Sequence, residues 1–174
     1  PVQLADGPVK TENQYPGIKD ENGIWQTEYS EGIYVGYRWY DTREVHPQWA
    51  FGYGLSYTTF EYGDARLSSK AIRDGVKVSV PVTNTGKVAG AEVVQLYIAD
   101  TEASVDRPAK ELKGFEKVYL EPGETKTVSF TIGSDDLCWF DAASHQWVNE
   151  AGEFKAIVAA ASNDIRTEAS FELK

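Results

Sequence analysis

The residues that first suggest chemistry are the acids Asp135, Asp136 and Asp141, grouped around the single thiol, Cys138. A retaining glycosidase needs two carboxyl groups about 5 Å apart, one as nucleophile and one as acid and base. The surrounding text, DDLCWFD, reads as a short strand, in which adjacent side chains point to opposite faces. Asp135 and Asp136 are therefore expected to diverge as solvated strand-end acids. His46 and His145 are the only histidines, and neither they nor Cys138 sit at a metal-ligand spacing. Ser56 and Ser144 lack a nearby base backed by a carboxylate, so no serine triad is implied. No catalytic, cofactor-binding or metal residue is assigned.

A second class of candidate is aromatic. Ring faces stack on the apolar faces of sugars, and Trp25, Trp49 and Trp147 are the tryptophans placed to do so or to cover an interface. The competing reading is packing: Trp147 alternates as a core residue of its strand, and Trp49 stands among ring and glycine residues. Arg38, close to Tyr40 and Asp41, reads as a structural ion pair or hydrogen-bond node rather than a substrate ligand.

These residues are set in two unlike regions. The stretch Pro1 to Ser30 is broken by Pro1, Pro8, Pro16 and the turn dipeptide Asn22-Gly23, and is expected to be irregular. Ile33, Val35, Tyr37 and Trp39 alternate with Tyr34, Gly36, Arg38 and Tyr40, a period of two that predicts a strand over 33–40. Phe51-Gly52-Tyr53-Gly54 reads as a turn, because glycine permits backbone angles that side chains forbid. From Thr59 onward, short strands recur about every ten residues with turn signals between them, as in an antiparallel β-sandwich.

Within that body, Val76, Val78, Val80 and Val82 mark one strand, with an edge or bulge at Pro81, which has no amide hydrogen to donate. Ala91 to Asp100 is nearly continuous apolar text and is expected to be the deepest strand. Lys110 to Leu120 follows with Leu112, Phe115, Val118 and Leu120 as candidate core residues and Gly114 as a bulge. Glu121-Pro122-Gly123-Glu124 has the chemistry of a type II turn. Strands are expected near Thr125 to Ile132, in two short pieces around Ala142 to His145, and at Glu153 to Ala161 and Arg166 to Leu173. No convincing amphipathic helix stands out.

Composition narrows the function classes. The 174 residues carry 17 Lys and Arg against 27 Asp and Glu, a formal charge of −10, which argues against a nucleic-acid partner. No apolar run approaches the roughly 18 residues of a membrane span. A single cysteine cannot form an internal disulfide. The compartment stays open among periplasmic, secreted and cytoplasmic. The chain starts at Pro1 and contains no methionine, which suggests a trimmed initiator or a piece of a longer polypeptide.

Taken in order, EGIYVGYRWYD (31–41), FGYGLSYTTF (51–60), VVQLYI (93–98), RPAKELKGFEKV (107–118), LEPGET (120–125) and WVNEAGEF (147–154) resemble the C-terminal part of glycoside hydrolase family 3 β-glucosidases. The resemblance implies an all-β body, a fibronectin type III-like, immunoglobulin-like antiparallel β-sandwich over 59–174. Residues 1–58 become an irregular leader with one extra strand, the tail of the family's second, α/β sandwich domain plus a linker. Arg38, Tyr40, Asp41, Phe51 and Tyr57 then fall on the seam between domains. In the family a nucleophilic Asp and an acid/base Glu lie upstream, and neither motif is present.

The resemblance thus implies a non-catalytic piece of a retaining β-glucosidase-type hydrolase, with no cofactor, that packs against its own upstream catalytic domains. The alternative is a free-standing carbohydrate- or polymer-binding module. An orphaned strand 33–40 would also invite self-association, since an unpaired edge accepts strands.

Overall fold

The computed structural model describes residues 3–174; Pro1 and Val2, the start of the expected leader, lie outside them. The leader holds a small hairpin of β1 (Ile18–Lys19) and β2 (Trp25–Gln26), turning at Asn22-Gly23 with Gly23 at φ +78°, and then a six-residue helix, α1 (Tyr37–Thr42). The body runs through β3 (Phe60–Tyr62), β4 (Arg66–Leu67), β5 (Ala71–Ile72), β6 (Gly75–Asn84), β7 (Gly90–Asp100), β8 (Glu111–Leu120) and β9 (Thr125–Gly133). It closes with β10 (Trp139–Asp141), β11 (Gln146–Val148), β12 (Gly152–Ala161) and β13 (Asp164–Leu173).

Two sheets face each other. One has the order β5-β13-β12-β7-β8, antiparallel except for the short β5–β13 pair; in the other, β6 pairs with β9 on one side and with β3 and β4 on the other. Alternation decides what each strand contributes to the layer between them. Val76, Val78, Val80 and Val82 of β6 meet Val94, Leu96 and Ile98 of β7 and Phe154, Ala156 and Val158 of β12, all buried. Phe154 stacks on Phe171 of β13 with ring centres 5.8 Å apart. Both faces of β12 are covered: Ala156 is fully buried in this layer and Ala159 on the opposite face.

The local signals read from sequence have physical counterparts. Pro81 pairs with Thr127 of β9, and on its other side its carbonyl accepts from Gly63, where the partner passes from β3 to β4. In a strand, a residue's N–H and C=O point the same way, so the missing donor of Pro81 faces this interruption. Gly63 is required there, since a Cβ would lie 2.6 Å from Pro81. The β7–β8 register slips between Leu96↔Gly114 and Tyr97↔Leu112, the bulge expected at Gly114, and Gly123 turns at φ +77°.

Four expectations are corrected. Residues 33–40 are not a strand: Gly32 and Gly36 take φ +60° and +59°, a turn runs from Glu31 to Tyr34, and the chain then coils into α1. Two left-handed glycines four residues apart cannot belong to one pleated run, and the leader's extended pieces are β1 and β2 instead. With no strand there, the orphan-edge route to self-association is removed. Phe115 is 69% exposed because it lies on the outer face of β8. Trp147 is 70% exposed on the projecting β10–β11 hairpin and is no core residue. Asp135 and Asp136 occupy a short 3-10 helix, Ser134–Leu137, rather than a strand.

Candidate functional site: the seam between leader and sandwich

Of the residues selected from sequence, Arg38, Tyr40, Asp41, Trp49 and Phe51 come together at one place, the outer face of the five-stranded sheet, where α1 lies against β7 and β8. Helical spacing explains how so short an element binds. Tyr37 and Asp41, four residues apart, share one face; the Tyr37 hydroxyl accepts the Leu112 N–H at 2.8 Å, and Asp41 takes the Lys110 ammonium at 2.7 Å. Arg38 and Thr42 repeat the spacing: Arg38 pairs with Glu111 at 3.0 Å, and Thr42 Oγ1 accepts the Ala109 N–H at 2.9 Å. The node expected at Arg38 is thus an ion pair into the sandwich.

Beneath these bonds is a second, smaller apolar cluster. Tyr97, Ala99, Ile157 and Ala159 project outward from the sheet, with Tyr37 and Leu112 over them. Tyr37 meets Tyr97 edge-on at 5.6 Å and Phe51 at 5.3 Å, while the Lys110 ammonium sits 5.6 Å from the Tyr97 ring. Burial pushes the Tyr97 hydroxyl well above its ordinary value, so it donates as a neutral group to Gln95.

Charge is arranged around Glu111. Arg107, itself largely buried, reaches Asp100 at 3.2 Å, Glu111 at 2.8 Å and the Leu137 carbonyl at 3.0 Å. Burial raises the Glu111 carboxyl, but the hydrogen bond from Arg107 and the charges of Lys113, Arg38 and Arg107 outweigh it and hold the group below its ordinary value. Glu111 is therefore a fixed anion. It ties α1, through Arg38, to the loop before β8, through Arg107.

Further along, the linker is pinned by its backbone. The Phe51 carbonyl accepts the Ser162 N–H at 2.8 Å. Gly52, at φ +86°, lies so close to Gln95 that a Cβ would come within 2.0 Å of its Nε2. Thr58 donates to the fully buried Asn84 at 2.6 Å, and Asn84 spends its own amide on the carbonyls of Val88 and Leu120. With the main chain bound inward, the side chains turn outward: Trp49, Phe51, Tyr53, Leu55 and Tyr57 are all more than half exposed. Tyr40, Trp49 and Phe51 line a cavity of about 460 Å³ with Tyr37 and Ser162. Tyr57 touches neither this cavity nor the helix contacts.

The remaining candidates do not assemble. Asp136 accepts the Gly133 N–H at 2.8 Å, and Asp141 accepts from the Ser144 hydroxyl and the Ala143 amide, which hold its carboxyl below the ordinary aspartate value. Cys138 contacts the Ser134 carbonyl and Asn149; Ser56 supports the Thr58 amide. Among the described residues no group of three His, Cys, Asp or Glu is placed to hold a metal ion, and no helix is long and apolar enough to cross a membrane. Trp25 sits on its own hairpin beneath Lys19, and Trp147 stands edge-on to Phe140 at 5.6 Å. Tyr37, Lys110 and Glu111 escaped the sequence reading; the four-residue spacing of Tyr37 with Asp41 is the signal that marks Tyr37, while Lys110 and Glu111 are brought to it only by the fold.

Residues 92–162 match the family described as fibronectin type III-like domain. The chain is 53% identical, over 99% of its length, to the β-glucosidase BoGH3A of Bacteroides ovatus, and 46% identical, over 95%, to the thermostable β-glucosidase B of Acetivibrio thermocellus. It spans only 23% and 21% of those relatives' length. Among solved structures, β-glucosidase 3B from Thermotoga neapolitana in complex with glucose superposes with a TM-score of 0.83 at 42% identity, covering 92% of this chain and 22% of that one. The Bifidobacterium adolescentis GH3 β-glucosidase superposes with a TM-score of 0.84 at 37% identity, covering 92% and 23%.

Proposed function

Since the chain belongs to the C-terminal region of glycoside hydrolase family 3 β-glucosidases, we propose that it is the non-catalytic part of such a hydrolase and buttresses the catalytic domains. One observation carries this reading. Among the described residues, twenty large apolar side chains are exposed, and twelve of them (Tyr15, Ile18, Ile24, Trp25, Tyr29, Ile33, Val35, Trp49, Phe51, Tyr53, Leu55 and Tyr57) lie in the short stretch 15–57. The much longer body from residue 59 supplies the other eight. A leader that turns its rings to water while the body folds inward is built to be covered.

The division at residue 58 belongs to this proposal: residues 1–58 are the end of a preceding domain and 59–174 the fibronectin type III-like sandwich. Arg38 and Asp41, bonded to the sandwich, transmit load between them, and Tyr40, Phe51 and Tyr57 face the missing partner. No turnover is expected from this chain alone. Incubation of the purified chain with an aryl β-glucoside is expected to release no phenol above the uncatalysed rate, and sustained release would contradict the reading.

A second reading is favoured by the exposure of Trp147, which stands edge-on to Phe140 on the β10–β11 hairpin. As a carbohydrate-binding module the chain would be retained on cellulose or xylan, and retention would fall on W147A. Passage without retention, unchanged by W25A, W49A or W147A, supports the buttress.

A further inference from the structure

We propose that the uncovered half of the outer face of the five-stranded sheet is a docking surface for the catalytic portion of the same polypeptide. This rests on the buttress reading and extends it from the leader onto the sandwich itself.

Paired residues in an antiparallel ladder share a face. Gln95 pairs with Phe115, Val93 with Lys117 and Ala91 with Tyr119, so these side chains stand on the face that carries Tyr97. The upper part of that face is covered by α1 through Tyr37, and its middle by Gly52 against Gln95. Beyond Gln95, none of the described residues covers it. Val93, Phe115 and Tyr119 are 37%, 69% and 56% exposed, and they crowd the end of one edge strand and its neighbour.

The occupant follows from continuity. Tyr53 and Leu55, the outward rings and alkyl of the linker, line the same open cavity, about 680 Å³, as Ala91 and Val93. The linker's exposed apolar surface and that of the sheet are thus one surface, and whatever closes over the leader meets Phe115 and Tyr119 next. The chain spans about a fifth of its relatives' length, so most of the polypeptide that would cover it lies outside the structure. Lys117 stands between the two rings, and among the described residues no carboxylate lies within 4 Å of its ammonium. The partner surface is therefore apolar with an acidic group set opposite Lys117.

Hydroxyl-radical labelling read by mass spectrometry tests this by comparing the chain alone with the full-length hydrolase. Phe115 and Tyr119 are expected to oxidise readily in the chain alone and several-fold less in the full-length protein. If Trp49 and Tyr57 are shielded there while Phe115 and Tyr119 react equally in both, the buttress reading stands and this docking face is wrong. If none of the four is shielded, both fail. Shielding that appears in the isolated chain as its concentration rises makes a second copy the occupant and overturns the proposal. As an independent arm, F115D with Y119D is expected to leave the melting temperature of the chain alone unchanged and to lower that of the full-length protein. Equal shifts in the two contexts would overturn it.

Discussion

The ammonium of Lys110 lies 2.7 Å from the carboxylate of Asp41, with about nine-tenths of each side chain withdrawn from water, and this pair joins α1 to the start of β8. Removing one partner strands a buried charge, which costs about 3 kcal/mol or more, whereas replacing both with apolar groups of similar size is close to neutral. K110M and D41L are each expected to lower the urea midpoint clearly, and the double variant to recover most of the loss. Additive losses would show that the two side chains act separately.

Two carboxylates of the sandwich are expected to respond to acid in opposite directions. The folded-state value of Glu111 is lowered, so its contribution is present at neutral pH and is lost as the pH falls from the ordinary glutamate range through that lowered value. E111Q should therefore be less stable at pH 7, with the gap to the parent closing in acid. Glu92 is raised, chiefly by burial beside the Tyr62 hydroxyl it accepts from at 2.8 Å. Its ionised form is a penalty above the raised value and is relieved as the pH falls through it. E92Q keeps an acceptor for Tyr62 and is expected to be as stable as the parent or more so at pH 7. Thermal melts across pH 3 to 7 read both signs.

Gly52 combines a left-handed backbone with contact against Gln95. G52A is expected to cost about 1–2 kcal/mol, from the positive φ together with the displaced Gln95 amide. In a Q95A background the clash is gone and only the backbone part remains, so a smaller cost there, read by chemical denaturation, separates the two causes.

Most of the sandwich was legible because its signals are local and of one period. The valines of β6, Gly114 opposite Leu96 and the Pro122-Gly123 turn each carry their geometry in the residue type. Helix α1 was not, for a reason visible in Tyr37 to Tyr40: aromatic residues favour strands by their fit to a pleated surface, and here that surface belongs to another element, β7 and β8. The same limit governs Phe115 and Trp147. An exposed ring has the same hydrophobicity as a core residue, so alternation alone assigned both to the interior. At the seam, Arg38 and Asp41 were legible as a polar node, but Lys110 and Glu111 are about seventy residues away along the chain, and only the fold brings them to it.

Calorimetry of the full-length hydrolase tests the buttress most directly. Domains joined by a large apolar interface unfold together, and binding to the folded state alone raises its melting temperature. The account predicts that the sandwich melts within a single cooperative transition of the full-length protein, at a higher temperature than in the isolated chain. A sandwich that melts as a separate transition at the same temperature in both would contradict it.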